Sequence, residues 1–149
     1  TGEPRHSDFF ERLKNSYPGR VSINLFFDDG LARRIYSGSD FFLMPSHYEP
    51  CGLGQIIALR YGSLPVVRRT GGLADTVRDA DTDSRPNGFL FGPPEPDALI
   101  EAVDRALAHF ADRRAWLAMV RRGMTEDFSW ERSADQYLEL YLAIREERS

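Results

Sequence analysis

Apolar positions in this chain fall into short runs separated by turn residues, and the runs change period along the sequence. Phe41-Phe42-Leu43-Met44 is four bulky residues without alternation, stopped by Pro45. Such a run predicts a strand buried on both faces, as in a parallel sheet with helices on each side. A polar loop follows from Ser46 to Gly52. A helical pattern then runs from about Leu53 to Tyr61, with Gly62 placed to end it. Ile56, Leu59 and Tyr61 are expected to face the sheet. Leu64-Pro65-Val66-Val67 predicts the next strand, and Thr70-Gly71-Gly72 a second loop. Two loops should therefore emerge at the carboxyl ends of neighbouring parallel strands, where ligands of open α/β sheets bind.

The flanking segments read as follows. Ser7 predicts the N-cap of a helix from about Asp8 to Tyr17, ended by Pro18-Gly19, with Phe9, Phe10, Leu13 and Tyr17 as core. Val21 to Phe26 begins in alternation and reads as a strand. Asp28 or Asp29 can cap a helix from about Gly30 to Tyr36. Ala80 to Gly88 is polar and predicts an exposed loop with a Pro-Asn-Gly turn. Phe89-Leu90-Phe91 is a short last strand. Asp97, Asp112 and Ser129 are expected to cap three closing helices. The first carries Leu99, Ile100, Val103 and Leu107 on its apolar face. The last carries a stripe of Ala134, Tyr137, Leu138, Tyr141 and Leu142.

Composition narrows the function classes. The chain has 149 residues, room for one ordinary domain, and is 42% apolar and 28% charged. Its net charge of −4 argues against nucleic acid or an anionic membrane as partner. No apolar run approaches the roughly 18 residues of a membrane span, and no signal peptide is visible. The single cysteine, Cys51, excludes an internal disulfide and fits a reducing cytoplasm.

The first loop holds the chemistry. Glu49 stands just ahead of a helix start bearing Gly52 and Gly54, whose backbone N–H groups and dipole favour an anion. A carboxylate beside an anion site suits a ligand with phosphate at one end and hydroxyls at the other, such as a sugar nucleotide. It equally suits a helix N-terminus with an acidic neighbour. Phe27, just past a strand end, could stack on a nucleotide base or belong to the core. Arg68 and Arg69 could pair with phosphate or serve the scaffold; strand period points them to opposite faces. His47 has no second ligand at metal spacing, and no metal is expected. Asp79, Asp81 and Asp83 lack the glycine and terminal glutamate of a calcium loop. No base is implied near Cys51, so it does not read as a nucleophile.

The run EPCGLGQIIALRYGSLPVVRRTGGLADTV, with Asp127-Phe128-Ser129-Trp130 further on, resembles the signature of bacterial glycogen synthases and plant starch synthases. The resemblance covers nearly the whole chain. It implies a Rossmann-like parallel sheet with helices on both faces, in the C-terminal half of a two-domain GT-B glycosyltransferase, with residues 1–149 a partial C-terminal domain and the N-terminal domain absent. It implies transfer of glucose from ADP-glucose to an α-1,4-glucan with retention and no cofactor. Glu49 would be catalytic. Phe27, Tyr48, Cys51, Gly52, Leu53, Gly54, Thr70, Gly71 and Gly72 would bind the donor, Phe27 by stacking on adenine. Gly71-Gly72 would let the backbone approach the sugar. Related transferases carry a second glutamate where Ile57 stands; glycogen and starch synthases lack it, which favours this family and leaves the ribose contact unassigned. Gly54 stands where the family often has threonine. The family's diphosphate-binding arginine and lysine would lie upstream of Thr1, and Lys14 is not that lysine. The Thr1-Gly2-Glu3 segment matches a loop after a strand in the family, so the chain reads as a fragment, and without that arginine and lysine it is expected to be inactive alone. A UDP-sugar or sucrose-type transferase, or a non-catalytic half-domain, are the alternatives.

Overall fold

The computed structural model of the protein describes residues 4–147; the expected Thr1-Gly2-Glu3 loop lies outside them. The chain divides into two compact units near Arg33.

The first unit opens with α1 (Pro4–Ser16). Proline suits a first helical position because its fixed φ fits and its missing N–H has no helical partner to lose. Ser7 therefore lies within the helix rather than at its cap. The expected core face is not buried: Phe9 and Tyr17 are half exposed and α1 has no buried residue. Val21 to Phe26 forms no strand. A strand needs a ladder partner for its N–H and C=O groups, and among the described residues no backbone hydrogen bond joins 22–27 to another segment. Leu25 and Phe26 are correspondingly exposed. Helix α2 (Asp29–Gly38) runs across the unit boundary and is capped by Asp28, whose Oδ1 accepts from Leu31 N–H at 2.8 Å.

In the second unit the strands β1 (Phe41–Met44), β2 (Leu64–Arg68) and β3 (Phe89–Phe91) form a parallel sheet in the order β1-β2-β3. Phe41 pairs with Leu64, and Val66 with Phe89. Alternation along β2 and β3 divides the core. Leu64, Val66, Phe89 and Phe91 face one layer with Leu59, Ala102, Ala106, Trp116 and Met119. Val67 and Leu90 face the other with Leu73 and Val77. The first layer is roofed by α3 (Gly54–Tyr61), α5 (Pro96–Ala111) and α6 (Arg113–Thr125), the second by α4 (Gly71–Thr76). Helices thus cover both faces, as expected. Strand β1, at one edge of the sheet, is only half-buried, with Leu43 exposed, whereas the other edge strand, β3, is buried throughout.

Several helix faces differ from the periodic reading. In α3 the buried positions are Gln55, Ala58 and Leu59, while Ile56 is half-buried and Tyr61 exposed. Gly62, at φ 85°, closes this helix in the left-handed conformation, donating to Ala58 and Leu59 carbonyls. In α5, Pro96 occupies the first turn, so Asp97 lies inside the helix and caps nothing. Its buried residues are Ala102 and Ala106; Leu99 and Val103 pack at the margin, and Ile100 and Leu107 are exposed. Small side chains let the helix approach the sheet closely. Asp112 caps α6, accepting from Arg114 and Ala115 N–H. Ser129 Oγ accepts from Arg132 N–H at the start of α7 (Trp130–Glu147), whose apolar stripe is exposed.

The expected 80–88 loop is exposed only over residues 81–85. Asn87 is fully buried, accepting from Arg78 N–H at 2.7 Å and donating to the Thr76 carbonyl at 3.1 Å. Asp79 is buried too. It accepts from Leu90 N–H at 2.7 Å and pairs with Arg105, which itself donates to the Leu90 carbonyl. These groups are scaffold, holding β3 to α5.

Arg78 grips Glu126 through both guanidinium Nη atoms and donates from Nε to the Arg85 carbonyl. The Arg78 hydrogen bond holds the Glu126 carboxyl below its ordinary range. A depressed carboxyl pKa contributes stability above the unfolded value, lost as the pH falls through the folded one. Urea unfolding of the parent and Glu126→Gln should therefore differ most near neutrality. The gap should close as the pH falls below about 4.3, the ordinary glutamate value.

Candidate functional site

Two loops meet at the carboxyl ends of β1 and β2. Arg68, at the end of β2, donates from Nε to the Ser46 carbonyl at 2.7 Å and from Nη2 to that of His47. It anchors the first loop as it leaves β1. Arg69 is exposed.

The second loop is not a loop throughout. α4 begins at Gly71, one residue after Thr70, although glycine is a poor helix former. Packing overrides that propensity. A Cβ on Gly71 would stand 2.1 Å from the Glu49 carbonyl oxygen, and one on Gly72 would stand 2.0 Å from that of Cys51. The two glycines therefore let the start of α4 lie directly on the Glu49–Cys51 backbone. Gly72 N–H donates to the Glu49 carbonyl at 3.0 Å and to the Pro50 carbonyl at 3.2 Å.

A buried side chain closes the arrangement from below. Gln55 Nε2 lies 3.3 Å from the Cys51 carbonyl, 3.0 Å from that of Gly52 and 3.1 Å from Thr76 Oγ1. Thr76 Oγ1 in turn donates to the Gly72 carbonyl at 2.6 Å. The carbonyls of Glu49, Pro50, Cys51 and Gly52 are thus all turned onto protein donors. In a planar trans peptide the N–H points opposite to the C=O. The N–H groups of Cys51, Gly52 and Leu53 are therefore turned away from these donors. Among the described residues, these three and that of Gly54 have no acceptor. They sit at the start of α3, which has no acidic residue in its first turn. Orphan donors at a helix N-terminus form an anion-binding cradle.

Glu49 is half-buried, and its carboxylate has no hydrogen-bond or ion-pair partner among the described residues. Tyr48 and Leu53 are 70% and 71% exposed, Cys51 is an exposed thiol, and Thr70 is half-buried. The structure thus brings Glu49, Cys51, Gly52, Leu53, Gly54, Gly71 and Gly72 together. The missing side chains of Gly71 and Gly72 admit the neighbouring Glu49–Cys51 backbone. Phe27 belongs to the first unit, with its ring 96% exposed. It is not a core residue. A Cβ on Gly54 would stand 3.1 Å from the Phe42 ring, so a larger residue there would press on β1.

Sequence reasoning missed Gln55 and Thr76. The available signal was a polar residue on the face of α3 that the helical period turns inward.

An anion cradle and an unpartnered carboxylate thus lie side by side at the carboxyl edge of a parallel sheet, where ligands of open α/β folds bind. Residues 2–118 match the family of glycosyl transferases group 1, and the chain belongs to that family. It is 56% identical to the glycogen synthase of Syntrophotalea carbinolica over 95% of this chain and 29% of that protein. It is 54% identical to the glycogen synthase of an Anaeromyxobacter species over 97% of this chain and 30% of that protein. The catalytic domain of starch synthase IV from Arabidopsis thaliana, solved bound to ADP and acarbose, superposes with a TM-score of 0.83. It is 41% identical and is covered over 30% of its length by 95% of this chain. Sucrose-phosphate synthase from Thermosynechococcus elongatus is more distant, at 28% identity and a TM-score of 0.63 over 98% of this chain and 37% of that one. The chain spans about 30% of the length of the curated relatives it matches. Among the described residues, no helix is long and apolar enough to cross a membrane.

Proposed function

We propose that this chain supplies the donor-binding half of an ADP-glucose-dependent glycogen or starch synthase, working in the cytoplasm. The single observation that carries the proposal is the cradle of unpartnered N–H groups from Cys51 to Gly54 beside the free Glu49 carboxylate. The cradle receives the diphosphate; the carboxylate accepts hydrogen bonds from glucosyl hydroxyls. In the reaction, the bond from glucosyl C1 to the diphosphate oxygen breaks. A bond from C1 to a hydroxyl at the glucan's non-reducing end forms on the same face, and the hydroxyl proton passes to the departing diphosphate. The protein's part is electrostatic, holding the oxygens where negative charge grows. The ADP and acarbose in the Arabidopsis starch synthase support a nucleotide and a sugar-like ligand. Phe27, exposed and aromatic, offers a face on which adenine stacks. Gly71 and Gly72 shape the sugar pocket indirectly, by fixing the Glu49 loop. The rest of the longer protein supplies the other phosphate contacts and most of the acceptor site.

Calorimetry with ADP tests this on the chain alone and on the full-length protein that carries it. Only the full-length protein should bind tightly, and Phe27→Ala should weaken that binding about tenfold, the scale of one lost stacking contact. Absence of ADP binding by the full-length protein would remove the donor assignment. Tighter binding of UDP than ADP would favour the sucrose-type reading, which the likeness to sucrose-phosphate synthase keeps in play.

A further inference from the structure

We propose that Gln55, acting with Thr76, is the positioning residue that aims the diphosphate cradle. This rests on the reading of the Cys51–Gly54 amides as the phosphate site. Gln55 is wholly buried, yet it is polar and its Oε1 has no partner among the described residues. A buried acceptor without a donor is costly, so stability alone does not select this residue. Its value lies in Nε2. The amide fits only one way round, because exchanging its oxygen and nitrogen would set Oε1 against the Cys51 and Gly52 carbonyl oxygens.

The hydrogen bonds form a closed ring. The two N–H donors of Gln55 Nε2 are shared among the Cys51 and Gly52 carbonyls and Thr76 Oγ1; Thr76 donates to the Gly72 carbonyl; Gly72 N–H returns to Glu49 and Pro50. Holding the Pro50, Cys51 and Gly52 carbonyls inward turns the N–H groups of Cys51, Gly52 and Leu53 outward. The ring therefore sets the direction of the donors without any of its side chains touching the ligand. Gly52 contributes by leaving room, since a Cβ there would stand 2.5 Å from Gln55 Oε1, and its φ of 73° is one that few other residues adopt. Gln55 lies in the first turn of α3 and Thr76 ends α4, so the ring also locks the two loops to one another.

The test uses Gln55→Met, which keeps volume and removes both donors, and Thr76→Val, which removes only the hydroxyl. Thr76→Ser serves as the conservative rescue. ADP affinity is measured on full-length protein, with thermal melts confirming that each variant is folded at the assay temperature. Gln55→Met and Thr76→Val should each weaken ADP about tenfold. Their combination should be little worse than either alone, because both open the same ring. Thr76→Ser should bind as the parent does. A residue that only stabilises the fold would lower the melting temperature and leave the affinity of the folded protein unchanged, and that result would overturn the proposal. Hydrogen–deuterium exchange over residues 70–73 gives a ligand-free reading: the ring predicts faster exchange at Gly72 in both variants, and unchanged exchange would also overturn it. Should the parent fail to bind ADP, the nucleotide reading fails, and the exchange result alone decides whether Gln55 aims the loop.

Discussion

Replacing Glu49 by alanine in the full-length protein is expected to lower kcat for glucosyl transfer about 100- to 1,000-fold, the scale of removing one preorganised electrostatic contact. ADP affinity should stay within about twofold. The separation follows from where the residue's atoms are engaged. The Glu49 carbonyl belongs to the hydrogen-bonded ring, accepting from Gly72 N–H, whereas the carboxylate has no partner among the described residues. Truncating the side chain leaves the backbone contact in place and orphans no donor, so the cradle keeps its shape. Steady-state kinetics and calorimetry on the same preparation check both halves. Unchanged kcat would show that the carboxylate does not meet the sugar. A parallel loss of ADP binding would show that it shapes the loop instead.

The second large effect is expected from Gly72→Ala. The added Cβ would meet the Cys51 carbonyl oxygen at 2.0 Å and its carbon at 2.6 Å. Both are backbone atoms inside a bonded loop, so no side chain can swing aside. Either α4 or the Glu49–Cys51 segment must move, and the two hydrogen bonds from Gly72 N–H are lost. The cost should reach about 3 kcal/mol, as overpacking at a tight site does. For a chain of this size that lowers the melting temperature by about 10 °C. ADP binding by the full-length protein should fall below detection even where the variant is folded. Gly92→Ala is the control, since nothing lies within 4 Å of its Cβ position. A Gly72→Ala protein that melts and binds like the parent would mean that the loops do not pack as described.

The parts of the fold that could be read from sequence are those bounded by residues with local rules. Pro45 stops β1 and Gly62 stops α3 at the expected places, and β3 coincides with Phe89-Leu90-Phe91. Asp112 and Ser129 cap as their type suggests. What escaped depends on partners far along the chain. Val21 to Phe26 alternates like a strand, but alternation does not supply a ladder. Asn87 reads as a turn former, yet its amide spans Arg78 and Thr76 from a buried position. Gly71-Gly72 reads as a flexible loop, and only the approach of Cys51 shows why side chains are excluded there. The site divides the same way. Glu49 and the glycine-bearing helix start stand out in the sequence, and the run around them resembles a known family. Gln55 does not stand out, because a glutamine in a helix is ordinarily a surface residue and its burial depends on Thr76, brought in from another segment.

The register of the sheet has a consequence for how the chain reaches this structure. Phe41 lies beside Leu64 and Val66 beside Phe89, both pairs 23 positions apart. Each ladder therefore closes after a crossover of the same modest span, and no strand waits for a remote one. A topology that skipped a strand would roughly double the span and add about 0.6 kcal/mol of closure entropy to that step. Contacts this close in sequence favour rapid assembly among parallel sheets. The crossover from β1 to β2 is also the segment that carries the anion cradle, so closing that ladder is the step that draws Glu49 and α3 into place.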